Sequence, residues 1–264
     1  MSAELVVAGL QMDSAWEDPA ENFRRADAVA ERARRSGAKL LVLPEMFSTG
    51  FTMAAERAAA AGDLTRRFLE DLARRHGAWV LGGYVEPGRA KPFNACVLVG
   101  PDGGEVLVYR KIHPFSLAGE DQHYAAGEAV GTAEVEGVRV TPFICYDLRF
   151  PEPFRAVAEA TDLFVVVANW PVARRSAWQT LLRARAIENQ AYVLGVNRVG
   201  EGDGLAYAGD TALVDPLGET VEAGGEREAA VVGPVDAGQV AAIRGRFGFL
   251  ADRRPDVYAG LGSE

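Results

Sequence analysis

The sequence predicts an α/β fold in which sheets are covered by helices within a single domain, and three observations carry that prediction. Short, nearly continuous apolar runs recur between amphipathic stretches of helical period, the pattern of buried strands alternating with covering helices. Two hairpins of like design, 95–109 and 211–222, turn through Pro101-Asp102-Gly103-Gly104 and Asp215-Pro216-Leu217-Gly218, and so hint at two similar sheets. No linker rich in Pro, Gly or Ser separates two compositions, so residues 1–264 read as one domain.

The first strand, 5–10, is apolar enough to be buried on both faces. Asp18-Pro19-Ala20-Glu21 then reads as a helix start: a carboxylate at the N-cap, proline at the first helical position, and a glutamate placed to close a capping box. Phe23, Ala26, Ala30 and Ala33 follow at helical spacing, and Gly37 ends the element. A second strand, 39–43, runs straight into Pro44-Glu45. Residues 63–77 repeat the helical pattern, with Leu64, Phe68 and Leu72 expected on the inner face, and 80–85 is the third strand. After the first hairpin the run 138–144 climbs to Cys145, and Pro151 suits the first turn of a short helix. A strongly apolar strand, 163–168, precedes a helix from about residue 174 to residue 190. Its expected inward stripe is Ala177, Leu181, Ala184, Ile187 and Ala191. Residues 192–196 form a further strand, and Gly200, Gly202 and Gly204 read as a flexible turn. A late strand, 229–235, leads to residues 239–264, read as a short helix (239–244) and a tail expected to pack on the body or on a partner subunit.

With 264 residues the chain can bury a substantial core. The formal charge, 28 − 37 = −9, disfavours a nucleic-acid groove or an acidic membrane surface as a partner. No run approaches the roughly 18 apolar residues of a membrane span, and residues 1–10 lack the basic and long apolar segments of a secretion signal. Cys96 and Cys145 are too few for a disulfide framework and have no metal-ligand spacing. A reducing, cytoplasmic compartment is therefore expected, with no metal, and Cys96 is expected in the core.

Four segments end an apolar run with a reactive polar residue. In Leu41-Val42-Leu43-Pro44-Glu45 the carboxylate is desolvated, which suits it to move protons near neutral pH. Lys111 closes the first hairpin, where an ammonium can stabilise an oxyanion. Cys145 ends a buried strand beside a helix N-terminus, whose unpaired N–H groups favour thiolate and can receive an oxyanion. Asn169 and Trp170 follow the strand 163–168, at the kind of carboxyl end that lines ligand crevices. Taken singly, each also reads as an ordinary loop acid, surface lysine, buried thiol or core aromatic.

In combination, in the order Glu, Lys, Cys, these segments resemble the nitrilase superfamily of carbon–nitrogen hydrolases. The matching text is LPEMFSTGF, YRKIH, PFICYDLRFP, VANWP, RARAIENQAYVLGVNRVG and DPLGE, spread over most of the chain. The resemblance implies a four-layer α-β-β-α sandwich, homodimers joined helix layer to helix layer or higher homo-oligomers, and a Glu–Lys–Cys triad working without metal or organic cofactor. It implies Glu45 as general base and acid, Lys111 as oxyanion stabiliser and Cys145 as nucleophile, with the backbone N–H of Tyr146 as a second oxyanion donor. A second glutamate is expected within 119–124, where Glu120 is preferred to Asp121.

The segments CYDLRFP, NWP and ARAIENQ are similar to the omega-amidase (2-oxoglutaramate amidase) branch. That implies hydrolysis of the terminal amide of 2-oxoglutaramate or 2-oxosuccinamate to ammonia and a 2-oxo dicarboxylate, through a thioester. Other aliphatic amides, N-carbamoyl compounds and nitriles are the alternatives within the superfamily. An anionic substrate needs a local cation: Arg149 leads, Arg174 or Arg175 are alternatives, and Asn169 and Trp170 are further substrate-binding candidates. Two readings compete. A Cys–His hydrolase is one, because His113 lies two residues beyond Lys111; a catalytically silent binding protein on the same fold is the other. No G-x-S-x-G elbow, phosphate-binding loop or H-E-x-x-H helix occurs, and His76 and His123 have no metal spacing.

Overall fold

A computed structural model describes residues 4–261. From β1 (Glu4–Gln11) the chain passes through α1 (Pro19–Arg35), β2 (Leu40–Val42), α2 (Ala55–Ala60) and α3 (Gly62–His76) to β3 (Trp79–Glu86). A hairpin of β4 (Phe93–Val99) and β5 (Glu105–Arg110) leads to the one-turn α4 (Glu120–His123). Then come β6 (Ala133–Val135), β7 (Val138–Ile144), α5 (Pro151–Ala156), β8 (Leu163–Ala168), α6 (Arg175–Asn189) and β9 (Tyr192–Asn197). A ribbon of β10 (Val199–Gly202) and β11 (Leu205–Ala208) precedes the hairpin β12 (Ala212–Val214) and β13 (Thr220–Ala223). The last elements are β14 (Ala229–Asp236), α7 (Ala237–Arg246) and α8 (Pro255–Tyr258).

Two six-stranded sheets form, in the orders β14-β1-β2-β3-β4-β5 and β13-β12-β9-β8-β7-β6. Each is built on a parallel trio, β1-β2-β3 in one and β9-β8-β7 in the other, with antiparallel strands on both sides. The pattern of β1 shows why its run is apolar throughout. Leu5 and Val7 join the core shared with the second sheet, whereas Val6, Ala8 and Leu10 pack in the layer beneath α1 and α3. On the far side, Trp178, Leu182 and Ala186 of α6 and Phe154 of α5 complete the core of the second sheet. The result is the four-layer α-β-β-α sandwich that the resemblance implied. Gly9 marks a close approach of the two sheets: a Cβ there would lie 2.6 Å from Thr211 Cγ2.

Several local expectations are corrected. Asp18 caps α1 by accepting from Glu21 N at 3.1 Å, but the Glu21 carboxylate binds Arg24 and Arg25 instead of closing a capping box. Helix α3 buries Thr65, Leu69, Leu72 and Ala73, while Leu64 is exposed. Helix α6 buries Trp178, Leu182, Arg185, Ala186 and Asn189, a stripe one position removed from the apolar one, and leaves Ile187 exposed. The polar members of that face are partly paired: Arg185 Nη2 donates to Leu148 O at 2.7 Å and Asn189 Nδ2 to Arg185 O at 2.9 Å. The glycine cluster near residue 200 is a β-ribbon, with Asp203-Gly204, both at positive φ, as its two-residue turn. The late helix runs Ala237–Arg246, with the Asp236 side chain accepting from Gly238 N at 2.7 Å. Residues 262–264 of the expected tail lie outside the described residues. Among the described residues no helix is long and apolar enough to cross a membrane.

Candidate active site

Strands β2, β5, β7 and β8 end at one edge of the sandwich, and the residue types singled out in the sequence sit at those ends. Glu45 follows β2 in a turn seated on Gly83 of β3, where a Cβ would lie 2.6 Å from Glu45 Cα. Only glycine permits that approach. Lys111 follows β5, its N–H held by Asn94 O at 2.9 Å. Cys145 follows β7 with φ +46 and opens a 3₁₀ turn, Cys145–Arg149. Asn169 and Trp170 follow β8, and Glu120 opens α4 behind Gly119, which has φ +75.

These side chains meet in a dry network. Lys111 Nζ donates to Glu45 Oε1 at 2.9 Å and to Glu120 Oε2 at 2.8 Å, with all three residues at 1 % exposure or less. Asn94 Nδ2 donates to Glu45 Oε1 and Glu120 Oε1, both at 2.7 Å. Glu45 Oε2 accepts from Asn169 N at 2.8 Å, and the Asn169 amide also donates to Glu45 O at 2.6 Å. Glu120 Oε2 further accepts from Phe115 N at 2.5 Å. The Cys145 thiol donates to Asn169 O, 3.9 Å from the sulfur, and stands close enough to Glu45 to feel its charge.

Burial pushes the Cys145 thiol well above its ordinary value, the Glu45 carboxylate adds to the effect, and the Lys111 ammonium opposes it. The unpaired N–H groups of the short turn, expected to favour thiolate, therefore act against desolvation and a neighbouring anion. For Lys111, burial works against the charge, but Glu120 and Glu45 outweigh it and hold the ammonium above the usual lysine value. Burial likewise raises Glu120, which Lys111 partly offsets.

A pocket opens above the sulfur, walled by Phe51, Phe115, Tyr146, Trp170 and Tyr207. Arg149 and Arg174 line it too, stacked over Trp170 at 5.0 Å and over Phe115 at 5.1 Å. Among the described residues neither forms an ion pair. Arg175 lies elsewhere, paired with Asp210 and Glu226. Asp121 is exposed, so Glu120 alone of the two acids reaches the network. Asn169 lines the same pocket while its Nδ2 donates to Glu45. Trp170 is a pocket wall that donates its Nε1–H to Arg174 O at 2.8 Å. His113 is turned to Asp147, its Nδ1 2.8 Å from Oδ1, rather than to the thiol.

The sequence reading missed Asn94 and Asp147. Asn94 is a lone polar residue opening an apolar strand and gives no periodic signal. Asp147 lies inside the quoted cysteine motif, where only its burial distinguishes it.

A buried carboxylate and ammonium beside a half-buried thiol, at the strand ends of a four-layer sandwich, define a class: hydrolases that act on carbon–nitrogen bonds of small molecules. The family model described as carbon-nitrogen hydrolase matches residues 6–245, and the chain belongs to that family. It is 41 % identical to the omega-amidase YafV of Escherichia coli strain K12, over 82 % of this chain and 84 % of that protein. It is 32 % identical to the 2-oxoglutaramate amidase of Bacillus subtilis strain 168, over 96 % and 98 %. Among solved structures, the CN-hydrolase superfamily protein XC1258 of Xanthomonas campestris, which carries an arsenic adduct in its active site, matches with a TM-score of 0.89 at 37 % identity. That match covers 95 % of this chain and 97 % of XC1258. The chain is a carbon–nitrogen hydrolase of the amidase type, as the resemblance implied.

Proposed function

We propose that this amidase cleaves the terminal amide of a small 2-oxo acid amide, of the 2-oxoglutaramate or 2-oxosuccinamate type, through a thioester on Cys145. The observation that carries the reading is the placement of Cys145 on a pocket whose wall holds two guanidiniums outside any ion pair, with the Glu45–Lys111 pair buried close behind the sulfur. In a protein of net charge −9 such cations suit a substrate carboxylate. The names of the relatives agree with that substrate class.

Because the thiol rests protonated, Glu45 takes its proton as Sγ attacks the amide carbon. The developing oxyanion is received by Lys111, which has three N–H donors and commits two of them to Glu45 and Glu120. The N–H of Tyr146 stands in the first turn of the 3₁₀ segment, where no partner exists within the turn, and supplies a second donor. Each such donor is worth roughly 3 kcal/mol of barrier. The C–N bond breaks as Glu45 returns the proton to the leaving nitrogen, and ammonia departs. Water, deprotonated by the same carboxylate, then attacks the thioester and releases the acid. Glu120 keeps Lys111 charged and placed; Asn94 and Asn169 hold the two carboxylates in register.

The exposed aromatic tail and the outer face of α6 suit a homodimer in which residues 239–264 pack on the body or the partner. The unpaired thiols of Cys96 and Cys145 suit a reducing compartment such as the cytoplasm. Ammonia release across 2-oxo acid amides, simple aliphatic amides, N-carbamoyl compounds and nitriles tests the substrate class, with the first group expected to dominate. Mass spectrometry should trap an acyl adduct on Cys145, and turnover that survives Cys145→Ala would end the reading.

A further inference from the structure

Asp147 is a fully buried carboxylate two residues beyond the sulfur, and the chemistry above leaves it unused. Its Oδ1 accepts from His113 N at 3.0 Å and lies 2.8 Å from His113 Nδ1. Its Oδ2 accepts from Tyr109 OH at 2.8 Å and from Ile144 N at 3.0 Å. Tyr109 and His113 stand two residues before and two after Lys111, and Ile144 directly precedes Cys145. One carboxylate therefore clasps the strand end that bears the ammonium, in the first sheet, to the strand end that bears the sulfur, in the second.

We propose that Asp147 is a positioning residue for the amide hydrolysis: it fixes the nucleophile relative to the oxyanion donors by tying these two strand ends together. The proposal rests on the assignment of Cys145 and Lys111 above. Three features give it force. Cys145 sits at φ +46, a left-handed conformation that strains a side chain with a Cβ, and the Ile144 N to Asp147 bond closes the turn that holds it there. Four donors converge on one group, and only a carboxylate has lone pairs for all of them; an asparagine would turn an N–H₂ toward two of the donors. The His113 ring, held by the same carboxylate, stacks on Phe150 at 3.9 Å, and Phe150 meets Tyr146 edge-on at 5.1 Å, so the brace also backs the residue whose N–H faces the oxyanion. His113 thereby has a task that does not require it to touch the thiol.

The test compares full-length Asp147→Asn, Tyr109→Phe, His113→Phe and Cys145→Ala with the parent protein on 2-oxosuccinamate, alongside alkylation of Cys145 by iodoacetamide. Alkylation is a displacement at saturated carbon and needs no oxyanion site. Asp147→Asn should lower kcat about 100-fold, the scale of an ångström-sized misplacement, with KM within about threefold and alkylation largely retained. Tyr109→Phe and His113→Phe, each removing one bond from the clasp, should lower kcat about tenfold with the same pattern. An Asp147→Asn protein with kcat within about threefold of the parent overturns the inference, as does a loss confined to KM. Should Asp147→Asn not fold, unchanged kcat in both single-bond variants overturns it equally. An active Cys145→Ala would instead remove the reading on which the inference stands, so the two failures are told apart.

Discussion

Glu45 is the residue on which opposite demands converge. Its carboxylate accepts from Lys111, Asn94 and Asn169 and stands beside the thiol, so it is fixed in place before any substrate arrives. That fixation suits the base proposed above, which has to move one proton twice in each turnover. Its charge also raises the Cys145 thiol, second only to burial, and the two effects separate on substitution. Glu45→Gln should cost about 10²–10⁴-fold in kcat through loss of the base. The same change removes an anion that disfavours thiolate, so the pH midpoint of Cys145 alkylation should fall. Steady-state kinetics and a pH series of alkylation rates read the two outcomes, and a midpoint that rises would contradict the assigned contact. At this scale the site was legible where a polar residue stops an apolar strand, as at Glu45, Lys111, Cys145 and Asn169. Glu120 could be placed only to within its neighbour Asp121, because a one-turn helix has too few residues to show which side faces inward. Asn94 and Asp147 stayed hidden because their importance lies in partners from distant strands, 26 to 49 residues away for Asn94.

Helices show the same limit in another form. Periodicity located 63–77 and 174–190 as helices but misjudged the rotation of both, since α6 turns Trp178, Arg185 and Asn189 inward, where backbone carbonyls of Asp210, Leu148 and Arg185 accept from them. A hydrophobic stripe marks the core only when the core is made of hydrocarbon. The ribbon β10–β11 was legible in principle through Asp203-Gly204, a dipeptide suited to a tight hairpin turn, but its polar strands lack alternation. The start of α1 was read from its cap, and it yields a pH prediction. Arg24 and then Arg25 hold the Glu21 carboxyl down at about 2, below its ordinary 4.5. A depressed folded value means that the contribution to stability is present above about pH 4.5 and is lost as pH falls toward 2. Glu21→Gln should therefore flatten the acid limb of the stability curve in that window and leave stability at still lower pH unchanged. Because the group is solvent-facing, added salt should shrink the difference, which thermal melts between pH 2 and 6 at two ionic strengths would show.

The molecule as a whole explains why a chain of this length is needed for so small a site. Each sheet supplies strand ends that the other lacks: β2 and β5 bring carboxylate and ammonium, β7 and β8 bring thiol and the amide that steadies the base. Packing the sheets face to face is thus the step that assembles the chemistry. Past α7 the chain leaves that body with only a few ties. Gln190 Nε2 donates to Phe247 O at 2.9 Å and Leu250 is buried, yet Phe249, Tyr258 and Leu261 are 60 %, 51 % and 72 % exposed. Covering a large apolar side chain is worth about 1.5–3 kcal/mol, so a second subunit laid over these residues would gain several such increments. On the proposed homodimer, removal of residues 247–264 should yield monomer in sedimentation velocity and lower the melting temperature, while Cys145 remains open to alkylation because its pocket draws on none of those residues. A truncated protein that sediments and melts like the full chain would contradict the proposed role of the tail.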